Sequence, residues 1–387
     1  MRAIGLMSGT SLDGIDAVLV DLHPKGASYA WAIERFVTVP FDDGLRERLR
    51  FALPPNVATA AQIAALDREL GDAFAVAARA VARDERVDFV ASHGLTMFHR
   101  GEAAETMQIG DPYRIRDAID ATVVFDFRRA DCAVGGQGAP LVPYVDAMLL
   151  ARADRDVVAL NLGGIANVTV LTRGGSIADA LAWDTGPGNM LIDTIVARRT
   201  NDRERFDRDG ARAARGTIEE GIVQELIARD AFYFVQPPPK STGRERFGAQ
   251  LLDAHAELFA DLPLDDACAT LAAFTIETIA ADLDRYGPAD ALLVVSGGGA
   301  RNRTLVAGLA ARLGQYEVVL SDARGIDADA KEALAFAVLG YESLRERSAN
   351  VPRATGATRP TVLGAIVPRA LAALLAKIGV EVAANQR

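Results

Sequence analysis

The chain has 387 residues, 50% of them hydrophobic and 24% charged, which is ordinary for a globular protein and enough material for two domains. With 42 basic and 52 acidic residues its net charge is −10, which argues against nucleic acid as a main partner. The two cysteines, Cys132 and Cys268, stand outside any CxxC pair, the opening residues lack the profile of a secretory leader, and no stretch reaches the ~18 apolar residues of a membrane span, so a soluble cytoplasmic protein is expected.

The first predicted element is a hairpin. Apolar runs at Arg2–Met7 and Ile15–Leu22 flank a tip carrying Ser8, Gly9, Thr10, Ser11, Asp13 and Gly14. A plain hairpin needs one or two turn residues; this tip supplies groups that hydrogen-bond or let backbone approach another molecule closely. A strand over Ala32–Val39 follows, and Ile63, Leu66, Leu70, Phe74, Ala77 and Val81 mark one face of a helix. Asp88–Ala91 reads as a strand with His93 just after it. In "DFRRADCAVGGQGAPLVP", Arg128 or Arg129 can pair with a substrate carboxylate or remain a solvated basic pair.

Val157–Asn161 and Asn167–Leu171 repeat the opening pattern of strand, small-residue turn and strand. In "AWDTGPGNMLID", Asp184 ends an apolar run before a tight turn, with a helix starting beyond it; a carboxylate there can serve as a general base or can fix the turn by an Asx bond. Phe234–Gly243, with Pro237, Pro238 and Pro239, reads as a linker or as a loop within a domain. A second helical stripe runs through Leu271, Phe274, Thr275, Thr278 and Leu283. The strand Ala291–Val295 leads into Ser296-Gly297-Gly298-Gly299 and a helix starting near Asn302, and the strand Glu317–Leu320 follows. In "DADAKEALAFAVLGYESL", Asp329 as N-cap with Glu332 three residues on forms a capping box, which accounts for Glu332 without function. Strands mixed with helices along the whole chain predict an α/β fold.

No P-loop, GxSxG elbow or HExxH occurs, and the four histidines lack metal-ligand spacing, so no protein-held metal site is expected. The glycines near 298 lack the dinucleotide-binding spacing. Backbone N–H groups in glycine-rich turns cradle anions. Two such hairpins from two halves of the chain, plus a third turn opening a helix, suggest a clamp for a nucleotide's phosphates and a seat for its adenosine.

Taken together, "GLMSGTSLDGIDAVLVDL", "SHGLTMFH", "MQIGD", "DFRRADCAVGGQGAPLVP", "NLGGIAN", "WDTGPGNMLID", "PKSTGRERF", "SGGGARN", "KEALAFA" and "ATGATRPTVLGAI" resemble the anhydro-N-acetylmuramic acid kinase family, in its order and over nearly the whole chain. The resemblance implies two actin-like or hexokinase-like (ribonuclease H-like) α/β domains around an ATP cleft. One would cover 1–130, joined by 355–387, and the other 131–354. Gly9, Thr10, Ser11, Leu12, Asp13, Gly14, Ile15 and Asp16 would form the first phosphate loop, Asn161, Gly163, Gly164 and Asn167 the second, and Gly297, Gly298, Gly299 and Asn302 the adenosine motif. Asp184 would be the catalytic base. Ser11, Asp13, His93, Arg128, Asn189 and Glu332 would contact the sugar. ATP and Mg2+ would be the cofactors, with 1,6-anhydro-N-acetylmuramic acid as substrate. The expected reaction opens the anhydro ring and phosphorylates O6 in cell-wall recycling, in a cytoplasmic homodimer. A different sugar or carboxylate kinase, or a silent sugar sensor, is the alternative.

The chain departs from the family pattern at Leu95, where glutamine is usual, at Trp183, where Tyr or Phe is common, and at Arg324 and Ala328. Leu95 cannot make a glutamine's hydrogen bonds, so a sugar contact is expected to be lost there or supplied elsewhere.

Overall fold

The structure, a computed structural model, describes residues 1–384 except 10, 11, 26, 27, 55 and 84. The chain divides into two units, Met1–Leu149 with Ala330–Arg387, and Leu150–Asp329.

In the first unit β1 (Arg2–Ser8), β2 (Gly14–Lys25) and β3 (Ser28–Pro40) form an antiparallel meander. β4 (Phe89–Arg100) adds parallel to β1, β5 (Glu105–Ile109) folds back antiparallel on β4, and β6 (Thr122–Phe125) adds parallel to β4. The stripe predicted from Ile63 to Val81 lies on the helix Ala60–Ala82, whose Leu66, Leu70, Phe74, Ala77 and Val81 bury against Ile4, Leu6, Ile15, Ala17 and Leu19. The helix Lys331–Leu344 contacts β1 as well, and Gly5 meets its backbone so closely that a Cβ would lie 1.9 Å from Ala333 O. Burial of every residue from Ala3 to Leu6 explains why β1 reads as a continuous apolar run.

The second unit repeats the plan. β7 (Val157–Leu162), β8 (Ile165–Leu171) and β9 (Leu181–Pro187) form an antiparallel meander, and β10 (Ala291–Ser296) and β11 (Tyr316–Leu320) add in parallel beside β7. The helix Leu264–Tyr286 carries the second predicted stripe, all five residues buried. β12 (Ala365–Val367) then pairs antiparallel with β6 in the first unit. The sheet orders are thus β12-β6-β4-β1-β2-β3 and β11-β10-β7-β8-β9, the same meander and parallel additions twice.

Residues 131–149 and 330–354, expected in the second domain, lie in the first unit. The helix Phe127–Cys132 runs through the expected boundary. Phe234–Gly243 lies wholly inside the second unit, so it is a loop within a domain. No helix of the described residues is long and apolar enough to cross a membrane.

Candidate active site

The β1–β2 tip is braced by a side chain of its own, by a backbone turn and by Arg46. Ser8 Oγ donates to Gly14 O at 2.8 Å, Leu12 N–H donates to Gly9 O at 3.2 Å, and Arg46 Nε–H donates to Leu12 O at 3.1 Å. Leu12 takes a left-handed φ of 61° and is buried in the core, an exchange of conformational strain for apolar burial. Asp13 is exposed, and Asp16 Oδ1 accepts from Thr38 Oγ1 at 2.6 Å. Ile15 is fully buried and shapes the loop only from beneath. Thr10 and Ser11 lie outside the described residues.

His93 sits inside β4 rather than after it. The β1–β4 register slips between Leu6 and Ser8, where Ser92 and Leu95 bracket His93 and Gly94, so the strand carries a bulge and continues. Gly94 supplies the positive φ of 73° the bulge requires. His93 Nδ1 lies 3.0 Å from Gly94 O, and Arg128 Nε donates to Nε2 at 3.0 Å. That pairing assigns the Nδ1–H neutral tautomer. Burial first, and Arg128 second, hold the imidazole well below its usual pKa. Arg128 also donates to Gly138 O at 2.8 Å; burial pushes its pKa down while the Glu332 charge pulls it up. Arg129, by contrast, is 61% exposed at the side chain, so of the two arginines only Arg128 is buried against His93.

His93, Arg128 and Glu332 therefore form one neighbourhood of the first unit. Glu332 lies in the first turn of the helix Lys331–Leu344, whose N-cap is Ala330 without a side-chain bond. The expected capping box is absent: Asp329 pairs with Arg301 and takes its N–H bond to Asp327 Oδ1. Its neighbour Lys331 forms a buried ion pair with Asp146 at 2.7 Å.

Leu95 is fully buried in the apolar core of the first unit, so it offers no polar group in place of the usual glutamine. In a strand with alternating faces, it lies on the core side of the bulge.

Sequence reading missed Asp131. This fully buried carboxylate accepts from Gly138 N at 2.8 Å, Asn350 Nδ2 at 2.7 Å and Thr355 Oγ1 at 2.9 Å. It ties the glycine loop carrying Arg128's partner to the "ATGATRP" segment; no spacing in the chain reveals that pairing.

In the second unit three turns come together. Gly188 N and Asn189 N donate to Gly164 O and Gly163 O, each at 2.9 Å. Gly297 has φ 81°, and a Cβ there would lie 2.4 Å from Asn161 Oδ1, so only glycine fits. A Cβ at Gly299 would lie 2.8 Å from Asn189 Nδ2, whereas one at Gly298 meets nothing within 4 Å. Asn161 pairs with Asn167 across the β7–β8 hairpin and with Ser296 on β10. Asn302 caps the helix Arg303–Arg312 by accepting from Leu305 N at 3.1 Å, which fixes where the glycine turn ends. Asn189, expected at the sugar, stands among these turns.

Asp184 lies within β9 opposite Asn167, not at a strand end. The strand continues through Pro187 because β9 is an edge strand, where a missing N–H is tolerated. A short-range Asx bond does not account for the carboxylate: Oδ2 accepts from Thr242 N–H at 2.8 Å, 58 residues on. Asp184 N–H donates to Lys240 O at 3.0 Å, and Tyr233 Oη–H donates to Asp184 O at 2.7 Å. Burial, then the Asp184 and Asp282 charges, push the Tyr233 phenol up and keep it a donor. The helix expected beyond this turn is Met190–Thr200.

A meander followed by parallel strands, twice in one chain, with glycine-rich turns at both hairpin tips, is the two-domain α/β fold of the actin-like and hexokinase-like class. At the family level the chain belongs to the anhydro-N-acetylmuramic acid kinases, whose sequence profile matches residues 1–369. A relative named anhydro-N-acetylmuramic acid kinase from Streptomyces coelicolor is 42% identical over 374 residues, covering 95% of this chain and 94% of that protein. One of the same name from Rhodococcus erythropolis is 43% identical over 378 residues, with 95% and 94% covered. Among solved structures, the activator of the 2-hydroxyisocaproyl-CoA dehydratase from Clostridium difficile with bound ADPNP is matched over 89% of this chain and 98% of its own, at 14% identity and a TM-score of 0.41. The chain is thus an ATP-using kinase that phosphorylates anhydro-N-acetylmuramic acid in cell-wall recycling.

Proposed function

We propose that Asp184 is the general base of this reaction. Water attacks the anomeric carbon, and its proton passes to the Asp184 carboxylate. The C1–O6 bond breaks as O6 attacks the γ-phosphorus, and the bond from that phosphorus to the bridging oxygen breaks to release ADP. Ordinary glycosidases need a second carboxylic acid to protonate the leaving oxygen. Phosphoryl capture of O6 takes that role here, so one carboxylate suffices. The observation that carries this reading is that Tyr233 and Lys240 hold the Asp184 backbone while Thr242 N–H holds its carboxylate, on a strand of the unit with the glycine turns at Asn161–Asn167 and Gly297–Gly299.

His93, Arg128 and Glu332 would bind the sugar from the first unit, and Ser11 and Asp13 would contact it as well. The tip Gly9–Asp16 and the turns at Asn161–Asn167 and Gly297–Gly299 would hold the phosphates and adenosine. Asn189, beside Gly163 and Gly299, would serve the phosphates or the sugar. Among the described residues no group of three or more His, Cys, Asp or Glu could hold a metal. Mg2+ would be carried mainly by phosphate oxygens and water, with Asp13 or Asp16 as a carboxylate partner. When bound, the ion neutralises charge on the phosphates. ATP supply places the reaction in the cytoplasm, and family resemblance suggests a homodimer, which the mass in solution tests.

Asp184→Asn preserves size and removes the proton acceptor. ATP and sugar should still bind, while turnover falls by about 10²- to 10⁴-fold. In 18O-labelled water the unmutated enzyme should place label on the C1 oxygen. Near-normal turnover of the variant, or label only in phosphate, would overturn the assignment. ATP turnover with other sugars but not the anhydro sugar would point to a different kinase.

A further inference from the structure

Beneath Asp184 lies a buried ion pair that no step of the chemistry uses. Lys240 and Asp282 side chains are each 2% exposed, with Nζ 2.9 Å from Oδ2 and 3.0 Å from Oδ1. Trp183 Nε1–H donates to Asp282 Oδ2 at 3.0 Å. Lys240 Nζ also donates to Tyr233 O at 3.4 Å and lies 4.8 Å from the centre of the Tyr233 ring. Three of the contacts to Asp184 come from residues at or next to this pair. Tyr233 is gripped through its carbonyl and ring, Lys240 is the anchor itself, and Thr242 follows two residues later.

Burying two charges costs desolvation that their attraction scarcely repays, and apolar replacements of similar volume are often at least as stable. Stability alone is a poor reason for such a pair. Its geometry supplies a better one. From the helix Leu264–Tyr286, Asp282 pins the loop through 240–242 against β9, where Lys240 O and Thr242 N–H meet Asp184. Trp183, at the position where the family commonly has Tyr or Phe, adds an indole donor to the same carboxylate.

We propose that Lys240 and Asp282, with Trp183, are positioning residues for Asp184: the pair locks the 240–242 loop so that its backbone aims the Asp184 carboxylate at the attacking water. The inference rests on Asp184 being the base. Lys240→Met or Asp282→Asn alone leaves one buried charge without its partner and risks misfolding, so the informative variant is Lys240→Met with Asp282→Leu, which removes both charges.

The double variant should fold cooperatively, with a melting temperature lowered by the Trp183 indole donor that loses its acceptor. Its kcat should fall about 10- to 100-fold, the scale set by a misplacement of about an ångström, while KM for ATP and sugar stays within about twofold. Parental kcat in the folded double variant overturns the proposal, as does a rise in both KM values without loss of kcat. The same two changes made on Asp184→Asn separate this inference from the one beneath it. If the pair acts through Asp184, the residual turnover of Asp184→Asn should not drop further; an equal further drop means the pair acts elsewhere. Should Asp184→Asn itself turn over normally, the base assignment fails, and the positioning proposal with it.

Discussion

His93 accepts a hydrogen bond from a cation and so must stay neutral to keep it. Protonation would set a second N–H against the Arg128 guanidinium in a buried site. In the unfolded chain a histidine takes up its proton as pH falls below about 6.5. In the folded protein burial and Arg128 depress that pKa well below the usual value. Below about 6.5 the unfolded state therefore binds more protons, and the stability held above that pH is lost as pH falls toward the folded value. His93→Gln removes this slope. The melting-temperature gap between parent and variant should shrink between about pH 7.5 and 5; parallel curves would show that His93 does not titrate in this way. On the proposed sugar-binding role of Arg128, the same neutrality leaves the guanidinium as the cation that would face an anionic sugar carboxylate.

At the scale of elements, the helix Lys331–Leu344 is positioned by a missing side chain. Gly5 lets β1 come so close that any Cβ would overlap the carbonyl of Ala333, and backbone cannot swing aside as a side chain can. Glu332 precedes that contact by one residue. Gly5→Ala should displace the first helical turn at a cost of about 1–3 kcal/mol or more, the usual range for overpacking a core. Because Glu332 moves with the turn, KM for the sugar should rise alongside the fall in melting temperature. A melting temperature equal to the parent's would mean that the strand and helix separate without cost.

At the scale of the whole molecule, the first unit is assembled from both ends of the chain. In the helix Leu371–Ala384, Leu374 and Ile378 are buried, and Lys377 Nζ meets Asp88 at 2.6 Å. Glu381 joins the Met1 amine at 3.1 Å and the Tyr341 hydroxyl at 2.7 Å. Tyr341 lies on the same helix as Glu332. Ending the chain after residue 370 exposes the surfaces beneath Leu374 and Ile378, each worth about 1.5–3 kcal/mol when fully buried. The truncated protein should melt several degrees lower by calorimetry, and an unchanged transition would show that this helix adds nothing to the first unit.

The sequence by itself determined what local patterning can encode: apolar alternation and helical stripes for the strands and the two long helices, glycine-rich hairpin tips in both halves, and the motifs that mark the family. Those signals span a few residues, since side chains repeat every two positions in a strand and every three to four in a helix. Tertiary structure alone decided the rest. It set the bulge that keeps His93 within β4, the burial of Leu95, and the loss of a capping role for Asp329. It also matched Asp282 with Lys240 42 residues away and Trp183 99 residues away, and Asp131 with Asn350 219 residues away. Buried polar groups must find partners, but the partner is whichever group the folded chain brings within reach, and distance along the sequence carries no record of that choice.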